Sequence, residues 1–191
     1  MKTSNSIALL VVMLISFSCG NNVSSAKVKT YKVTNLQYNF SLPERFAIIT
    51  AKDLKHKMEG LIELDRDLLR GSQQKNQALF FDSTTEDLVI ISPFPERVPI
   101  EKLFLNSFAD MIEQGTIQAS GVDYERVEKK FIKNGNYNSL FKVKFKYSVL
   151  DLDNYLTTYF LTNHKESLMV TVQSSGEDDL QDMLTRYLNK N

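Results

Sequence analysis

The sequence predicts an α+β fold in which a mainly antiparallel β-sheet is flanked by about three helices. Apolar residues recur at helical spacing in three segments, at 53–69, 100–114 and 177–189. Segments of alternating apolar and polar residues fill the stretches between them, and turn residues such as Asn134-Gly135 connect neighbouring strands. Because helices and strands occupy separate stretches of the chain, we expect the helices to cover the faces of the sheet.

The first predicted elements are a β pair and a helix. Alternation runs from Tyr31 to Phe40, and Pro43 ends the second strand because proline cannot donate a hydrogen bond to a strand ladder. The segment 53–69 has one apolar stripe, with charged residues at the other positions. Gly60 weakens the middle of this helix, so a break there is compatible with the pattern.

A hairpin and a second helix are predicted in the middle of the chain. Two short β-type runs, 78–81 and 88–91, flank a polar stretch that favours a hairpin connection. Pro99 suits the first turn of the next helix, 100–114, which has a wide apolar stripe. We expect Gly115 to end this helix.

The second half of the chain is the richest in predicted strands. Residues 124–132 and 140–150 alternate on either side of a turn, and further strands are predicted at 155–161 and 168–172. The helix at 177–189 follows, with acidic residues in its first turn that suit the positive end of the helix dipole. The predicted order therefore ends with three or four antiparallel strands and a helix.

A row of alternating lysines lies on the clearest of these strands. Lys142, Lys144 and Lys146 point to the face opposite the strand's aromatic and apolar residues. Such a row is typical of a solvated face or of an edge guarded against pairing. The alternative is a contact with anionic lipid headgroups or with an acidic protein partner.

The amino terminus has the layout of a secretory signal. A short basic start precedes an apolar run of about nine residues, which is too short to span a membrane, and small residues lead to Cys19. We expect a signal peptide at 1–18, a lipidated amino terminus with a flexible tether at 19–30, and a single globular domain at 31–191. An edge strand starting as early as Lys27 is the alternative for the last tether residues.

The residues before Cys19 resemble the lipobox of bacterial lipoproteins, in which a cysteine is acylated and becomes the new amino terminus. Ser16 and Phe17 depart from the usual pattern in a way that is similar to lipoproteins of the Bacteroidetes group. The resemblance implies a stable membrane anchor, because more than one acyl chain is attached. Gly20, where other lipoproteins carry an inner-membrane retention signal, favours the outer membrane, and the absence of an acidic cluster after it favours a periplasm-facing domain.

The composition excludes several classes of function. The chain has 23 basic and 23 acidic residues, and Lys2 leaves with the leader, so the mature chain carries no electrostatic footprint for nucleic acid. Apolar residues make up 42% of the chain and charged residues 24%, which is ordinary for a globular domain. Cys19 is the only cysteine, so once it carries lipid no disulfide, cysteine nucleophile or thiolate metal site is available.

The domain resembles the family of PsbP-like photosystem proteins, Ran-binding Mog1 proteins and DcrB-type bacterial lipoproteins. The resemblance rests on the segment 38–46, which is similar to that family's strand followed by an LP-x-G-aromatic motif, with Arg45 in place of glycine and Phe46 in place of tryptophan. A central Phe-rich helix, long hairpins and a closing helix add to it. The resemblance implies an α/β/α sandwich and a largely non-enzymatic role in binding.

Motifs for catalysis, cofactors and metals are missing from the sequence. The acidic stretch from Asp151 to Asn154 fails as a calcium loop, because Leu156 and Thr162 stand where glycine and glutamate are needed. His56 and His164 have no zinc-site spacing, and neither a nucleophile elbow nor a phosphate-binding loop occurs. We therefore predict no catalytic residue, no metal and no cofactor.

Two classes of function are compatible with these observations. The first is a lipid-anchored, non-enzymatic accessory protein of the envelope, which binds a protein partner through a sheet face or the loops around Pro93 to Pro99. The second is a small-ligand carrier or enzyme with a pocket between helix and sheet. A group of buried polar residues converging on an apolar pocket would favour the second class.

Overall fold

Most of the chain from residue 27 onward is described by the computed structural model. Its described residues are 27–33, 38–50, 52–54, 77–120, 123–135, 138–149, 151–163, 165–176, 180–181 and 183–184. Among them, no helix is long and apolar enough to cross a membrane. The leader and Cys19 lie outside the described residues.

Nine antiparallel strands and one long helix make up the described structure. The strands are β1 Val28–Val33, β2 Tyr38–Pro43, β3 Ala47–Ile49, β4 Ala78–Phe81, β5 Leu88–Pro93, β6 Glu125–Asn134, β7 Asn138–Val149, β8 Leu152–Thr162 and β9 Ser167–Ser174. The helix α1 is Leu105–Ser120, preceded by a 3-10 turn at Lys102–Phe104. Strands β1 and β2 form a two-stranded sheet, and the others form a sheet in the order β3-β4-β5-β9-β8-β7-β6.

The predicted α+β sandwich with about three flanking helices is wrong. Strands hold 55% of the described residues, and the chain is mainly antiparallel β. The main reason is strand length: β6 to β9 are 8 to 12 residues each and follow one another through hairpins, so they dominate the architecture. The predicted helices at 53–69 and 177–189 lie largely outside the described residues, and the described residues in or beside those ranges that are helical are 52–54, 181 and 183–184.

The middle helix is present but shifted. It was expected at 100–114, and α1 runs instead from Leu105 to Ser120. Gly115 therefore lies within the helix and does not end it. No atom lies within 4 Å of the position that a Cβ atom would occupy at Gly115, so glycine is not required there by close packing.

One face of the large sheet is covered by α1. Val143, Phe145 and Tyr147 of β7 form a cluster with Ala109, against which Phe108 of the helix packs. A neighbouring cluster joins Leu105 to Phe141 and Phe160, with Phe94 and Phe131 at its margin. Alternation along β7 sends these apolar side chains to the same face.

The opposite face carries the larger core. Tyr31, Phe40 and Leu42 of the small sheet pack there against the central strands, and Leu180 and Leu184 join the same cluster. Tyr31 contacts Phe80 edge to face at 5.1 Å between ring centroids, and its hydroxyl donates to the carbonyl of Phe46. The small sheet therefore acts as a cover for the large one.

The two ends of the large sheet differ in character. At the aspartate end lie the turn 82–87 and the start of β1, where the Glu44 amide donates to the Lys27 carbonyl at 2.8 Å. At the proline end lie the β8–β9 turn and the segment 93–101. These names are used below for the two ends.

The free edge strand β6 is dominated by charge. Its outward surface includes Glu125, Arg126, Lys129 and Lys130, and its pairing with β7 is interrupted by a bulge between Arg126 and Glu128. Arg126 also forms ion pairs with Asp110 and Glu113 of α1 at 3.0 and 2.9 Å. A charged and bulged edge is unfavourable for pairing with another strand.

Candidate functional site

Lys142, the first member of the lysine row, lies in the interior. Its side chain is 3% exposed, and its ammonium group donates to the Glu128 carboxylate and, at 3.4 Å, to the amide oxygen of Gln181. A buried ammonium is tolerated only when it is paired in this way. Contact between Lys142 and an anionic surface would require this pair to open.

Lys144 and Lys146 have different surroundings. Lys144 is buried, and its Nζ atom lies 4.6 Å from the ring centroid of Tyr155, within range of a cation–π interaction. Lys146 is 34% exposed and lies 2.8 Å from Asp153. That hydrogen bond raises the pKa of Lys146 and lowers the pKa of Asp153.

The row is therefore mostly structural in this fold. The solvated-face interpretation does not hold for Lys142 and Lys144, because both are buried, and the small sheet with Leu180 and Leu184 covers much of the face on which they lie. Lys146 is the member whose side chain is accessible to a partner. The predicted contact of the row with an anionic surface stays a prediction, and it concerns Lys146 most directly.

A second polar cluster lies at the aspartate end. Arg45 bridges two buried carboxylates, with its Nε atom 3.3 Å from Asp82 and its terminal nitrogen 3.1 Å from Asp87. Asp82 also accepts hydrogen bonds from the Thr84 amide at 2.8 Å and the Thr85 hydroxyl at 3.0 Å. Burial alone would raise the pKa of Asp82, but these hydrogen bonds and the charge of Arg45 together lower it.

This Arg45–Asp82–Asp87 cluster joins three separate segments. Arg45 comes from the β2–β3 turn, the two aspartates flank the β4–β5 turn, and the Ser175 amide after β9 donates to Asp87 at 3.3 Å. The donors are directed at the carboxylates and leave little of either one accessible to a ligand. The cluster therefore acts as a clasp between turns.

Described residues at the proline end form an open groove of about 330 Å³. Three basic side chains line it, from Arg97, Lys102 and Lys133, with Glu101 as the one acidic member among the lining residues. Ser139 and Thr162, both almost fully buried, contribute to its floor. The groove is of the size that small ligands occupy.

Hydrogen bonds hold the wall of this groove in place. The Ser167 hydroxyl donates to the Val98 carbonyl at 3.1 Å and accepts from the Val98 amide at 2.8 Å. The Phe94 amide donates to the Ser167 carbonyl at 2.9 Å, and Arg97 Nε donates to the Asn163 carbonyl at 2.6 Å. The segment 93–101 is thus fixed to the β8–β9 hairpin.

A second and more open groove lies at the aspartate end. Its volume is about 530 Å³, and its walls include Asp123, Glu125, Lys146 and Asp153. Lys146 already pairs with Asp153 there. Within the described part of the chain, no three His, Cys, Asp or Glu side chains are grouped so that they could hold a metal ion.

The other residues considered as sites in the sequence are Cys19, the two histidines and the acidic stretch that starts at Asp151. Cys19, His56 and His164 lie outside the described residues. Asp151 has a positive φ of 64° at the tight β7–β8 connection, and Asp153 is engaged by Lys146 and by Ser148. Asp151 therefore lies in a hairpin turn, and the rest of the acidic stretch begins β8.

Sequence reasoning missed the groove at the proline end as a site. Arg97, Lys102 and Lys133 come from a loop, the 3-10 turn and the end of β6, and no motif connects them. The loops around Pro93 to Pro99 were predicted as a surface for a partner, and they supply one wall. The pairing of Ser139 with Thr162 across β7 and β8 could have been found only from the strand register.

Comparison with known proteins adds little to these observations. No family model and no curated protein matches the chain. Among solved structures, a similar chain is PA94 from Pseudomonas aeruginosa, a protein of unknown function described as a putative regulator, with 11% identity and a TM-score of 0.38. The match covers 85% of this chain and 92% of that one, and at this TM-score it supports no conclusion about fold or function.

Proposed function

We propose that this protein is a lipid-anchored, non-enzymatic binding protein of a bacterial envelope. The observation that carries the proposal is the position of Cys19, directly after a short apolar run and before a polar stretch. Several acyl chains on one residue give stable membrane attachment without a spanning helix. The domain is then an accessory module that binds a partner on the envelope surface it faces.

The start of the described structure is compatible with a tether. Lys27 and the first residues of β1 are exposed and lie at the aspartate end. Because β1 begins at Val28, residues 28–30 belong to a strand and the tether is shorter than expected. About eight residues separate Cys19 from Lys27, which gives a maximum reach of about 26 to 29 Å.

Replacement of the anchor residue tests the proposal. A full chain carrying Cys19→Ser, expressed in a Gram-negative host fed radiolabelled palmitate, should lose its label and leave the membrane fraction. Ser18→Ala is the matched control, since it keeps a small residue before the cysteine and should retain the label. Continued labelling of Cys19→Ser would refute the lipid anchor.

The proposed location is the outer membrane, with the domain facing the periplasm. Separation of the two membranes by density should then place the wild-type protein with the outer membrane. Added protease should digest it only after the outer membrane is opened. Digestion in intact cells would instead place the domain on the cell surface.

A small-ligand carrier is the second candidate function. The groove at the proline end supports it, since basic side chains and buried hydroxyls converge there. Equilibrium dialysis of the full chain against small-molecule extracts of envelopes would test it. A carrier should retain a ligand in these dialyses, and an accessory protein that binds only other proteins should not.

A further inference from the structure

The groove at the proline end concentrates positive charge that the described residues do not neutralise. Arg97, Lys102 and Lys133 line it, and none of them takes part in an ion pair with another described residue. Glu101 offsets one of the three charges. On the neighbouring strands, Arg126, Lys142 and Lys146 have carboxylate partners. A net charge of about +2 in a concave site attracts a multivalent anion.

The orientation of Arg97 in the groove is already fixed in the absence of a ligand. Arg97 Nε donates to the Asn163 carbonyl, which fixes the orientation of the guanidinium group. The hydroxyl of Thr162, which lines the groove, lies 2.9 Å from the hydroxyl of the buried Ser167. The Thr162 hydroxyl also donates to the Glu166 carbonyl at 3.3 Å, and the Ser167 hydroxyl donates to the Val98 carbonyl. An arginine whose orientation is already fixed loses less entropy on binding an anion.

We propose that this groove binds the phosphate group of a small, soluble organic phosphate. Arginine binds phosphate oxygens through two parallel N–H donors, and lysines add point charges. A phosphate monoester carries between one and two negative charges at neutral pH, which matches the excess of positive charge better than a single carboxylate does. Phe131 and Ile100 form an apolar wall that would contact the organic part.

The position of the groove favours a soluble ligand over a lipid headgroup. The groove lies at the proline end, and Lys27 lies at the aspartate end. Strand β5 connects the turn 82–87 to the segment 93–101 with 6 residues, so the two are separated by about 20 Å along the strand. If the chain is anchored through Cys19, its tether brings the aspartate end to the bilayer. The phosphate proposal itself does not depend on that anchor.

Calorimetric titration of the full chain in a non-ionic detergent tests the proposal. Glycerol 3-phosphate should bind at low salt, and glycerol should not. Arg97→Gln and Lys133→Gln should each weaken binding about ten-fold, because each removes a charge-assisted contact. Glu101→Gln should strengthen it several-fold, and Lys52→Gln, an exposed lysine outside the groove, should leave it unchanged.

Several results would overturn the proposal. The proposal is wrong if neither glycerol 3-phosphate nor inorganic phosphate gives a heat of binding at millimolar concentration. It is also wrong if the affinity is unchanged in both the Arg97→Gln and the Lys133→Gln variants. Stronger binding to phosphatidylglycerol nanodiscs than to glycerol 3-phosphate, lost in Lys133→Gln, would reassign the groove to lipid headgroups. Unchanged melting temperatures would show that the variants are folded. Cys19→Ser should bind as the wild type does, which separates this test from that of the anchor.

Discussion

At the scale of single residues, the clasp at the aspartate end makes stability depend on pH. The pKa of Asp82 is lowered in the folded protein, so its contribution is present at neutral pH and is lost as the pH falls below about 4. Asp82→Asn should lower the free energy of unfolding at pH 7 by about 1 to 3 kcal/mol. The variant should also lose less of its free energy of unfolding than the wild type does between pH 7 and pH 3. Urea unfolding at pH 7 and pH 3 measures both effects.

The exposed Asp123 provides the control for this experiment. Asp123→Asn should leave the free energy of unfolding within about 0.5 kcal/mol of the wild type. If Asp82→Asn and the wild type lose stability equally between pH 7 and pH 3, Asp82 is not the group responsible.

The ion pair between the buried Lys142 and the partly exposed Glu128 should respond asymmetrically to substitution. Glu128→Gln leaves a buried ammonium without its carboxylate and should cost about 3 kcal/mol. Lys142→Met removes the buried charge, and the partly exposed Glu128 can regain water, so its cost should be smaller. Chemical unfolding of both variants checks the order, and a larger loss for Lys142→Met would contradict it.

At the scale of elements, the Ser167 hydroxyl makes two of the hydrogen bonds that fix the segment 93–101 to the β8–β9 hairpin. Ser167→Ala removes both hydroxyl contacts to Val98 and should cost about 1 to 3 kcal/mol. Hydrogen exchange at the Val98 amide should accelerate. Ser174→Ala, on the same strand but with a single contact to Gly176, should leave Val98 protected. If the Val98 amide is equally protected from hydrogen exchange in both variants, the Ser167 hydroxyl does not fix this segment.

Strands were easier to predict from this sequence than helices or sites. Alternation along β7 located that strand and placed its apolar residues correctly on one face. The predicted fold class is wrong because the strands β6 to β9 dominate the described structure, and each of them is longer than its alternation predicts. Burial of Lys142 and Lys144 could not be foreseen, since it depends on a cover contributed by residues distant in sequence.

The candidate groove was beyond sequence reasoning for a similar reason. Lys133 stands opposite Ser139 only because the β6–β7 hairpin has this register, and Thr162 stands beside Ser139 only because β8 pairs with β7. Arg97 reaches the same place through Ser167 and Asn163. Tertiary pairing assembles the groove, and residue type alone does not reveal it.

At the scale of the whole molecule, the charges of β6 should keep copies apart. Replacing Glu125, Lys129 and Lys130 with threonine would leave a longer uncharged edge, which pairs more readily with another strand. We expect this triple variant to form dimers or larger species in light scattering, and the wild type to stay dispersed. If the triple variant stays monodisperse at the same concentration, these charges are not needed, and the bulge is sufficient to prevent pairing of β6 with another strand.

The charged edge has a particular consequence for a protein confined to a surface. If Cys19 carries lipid, all copies lie in one plane, where their local concentration is far higher than in solution. Diffusion in two dimensions then brings sheet edges together repeatedly and in similar orientations. Repulsion between the charged β6 edges of neighbouring copies would then keep the domains separate even at high density on the bilayer.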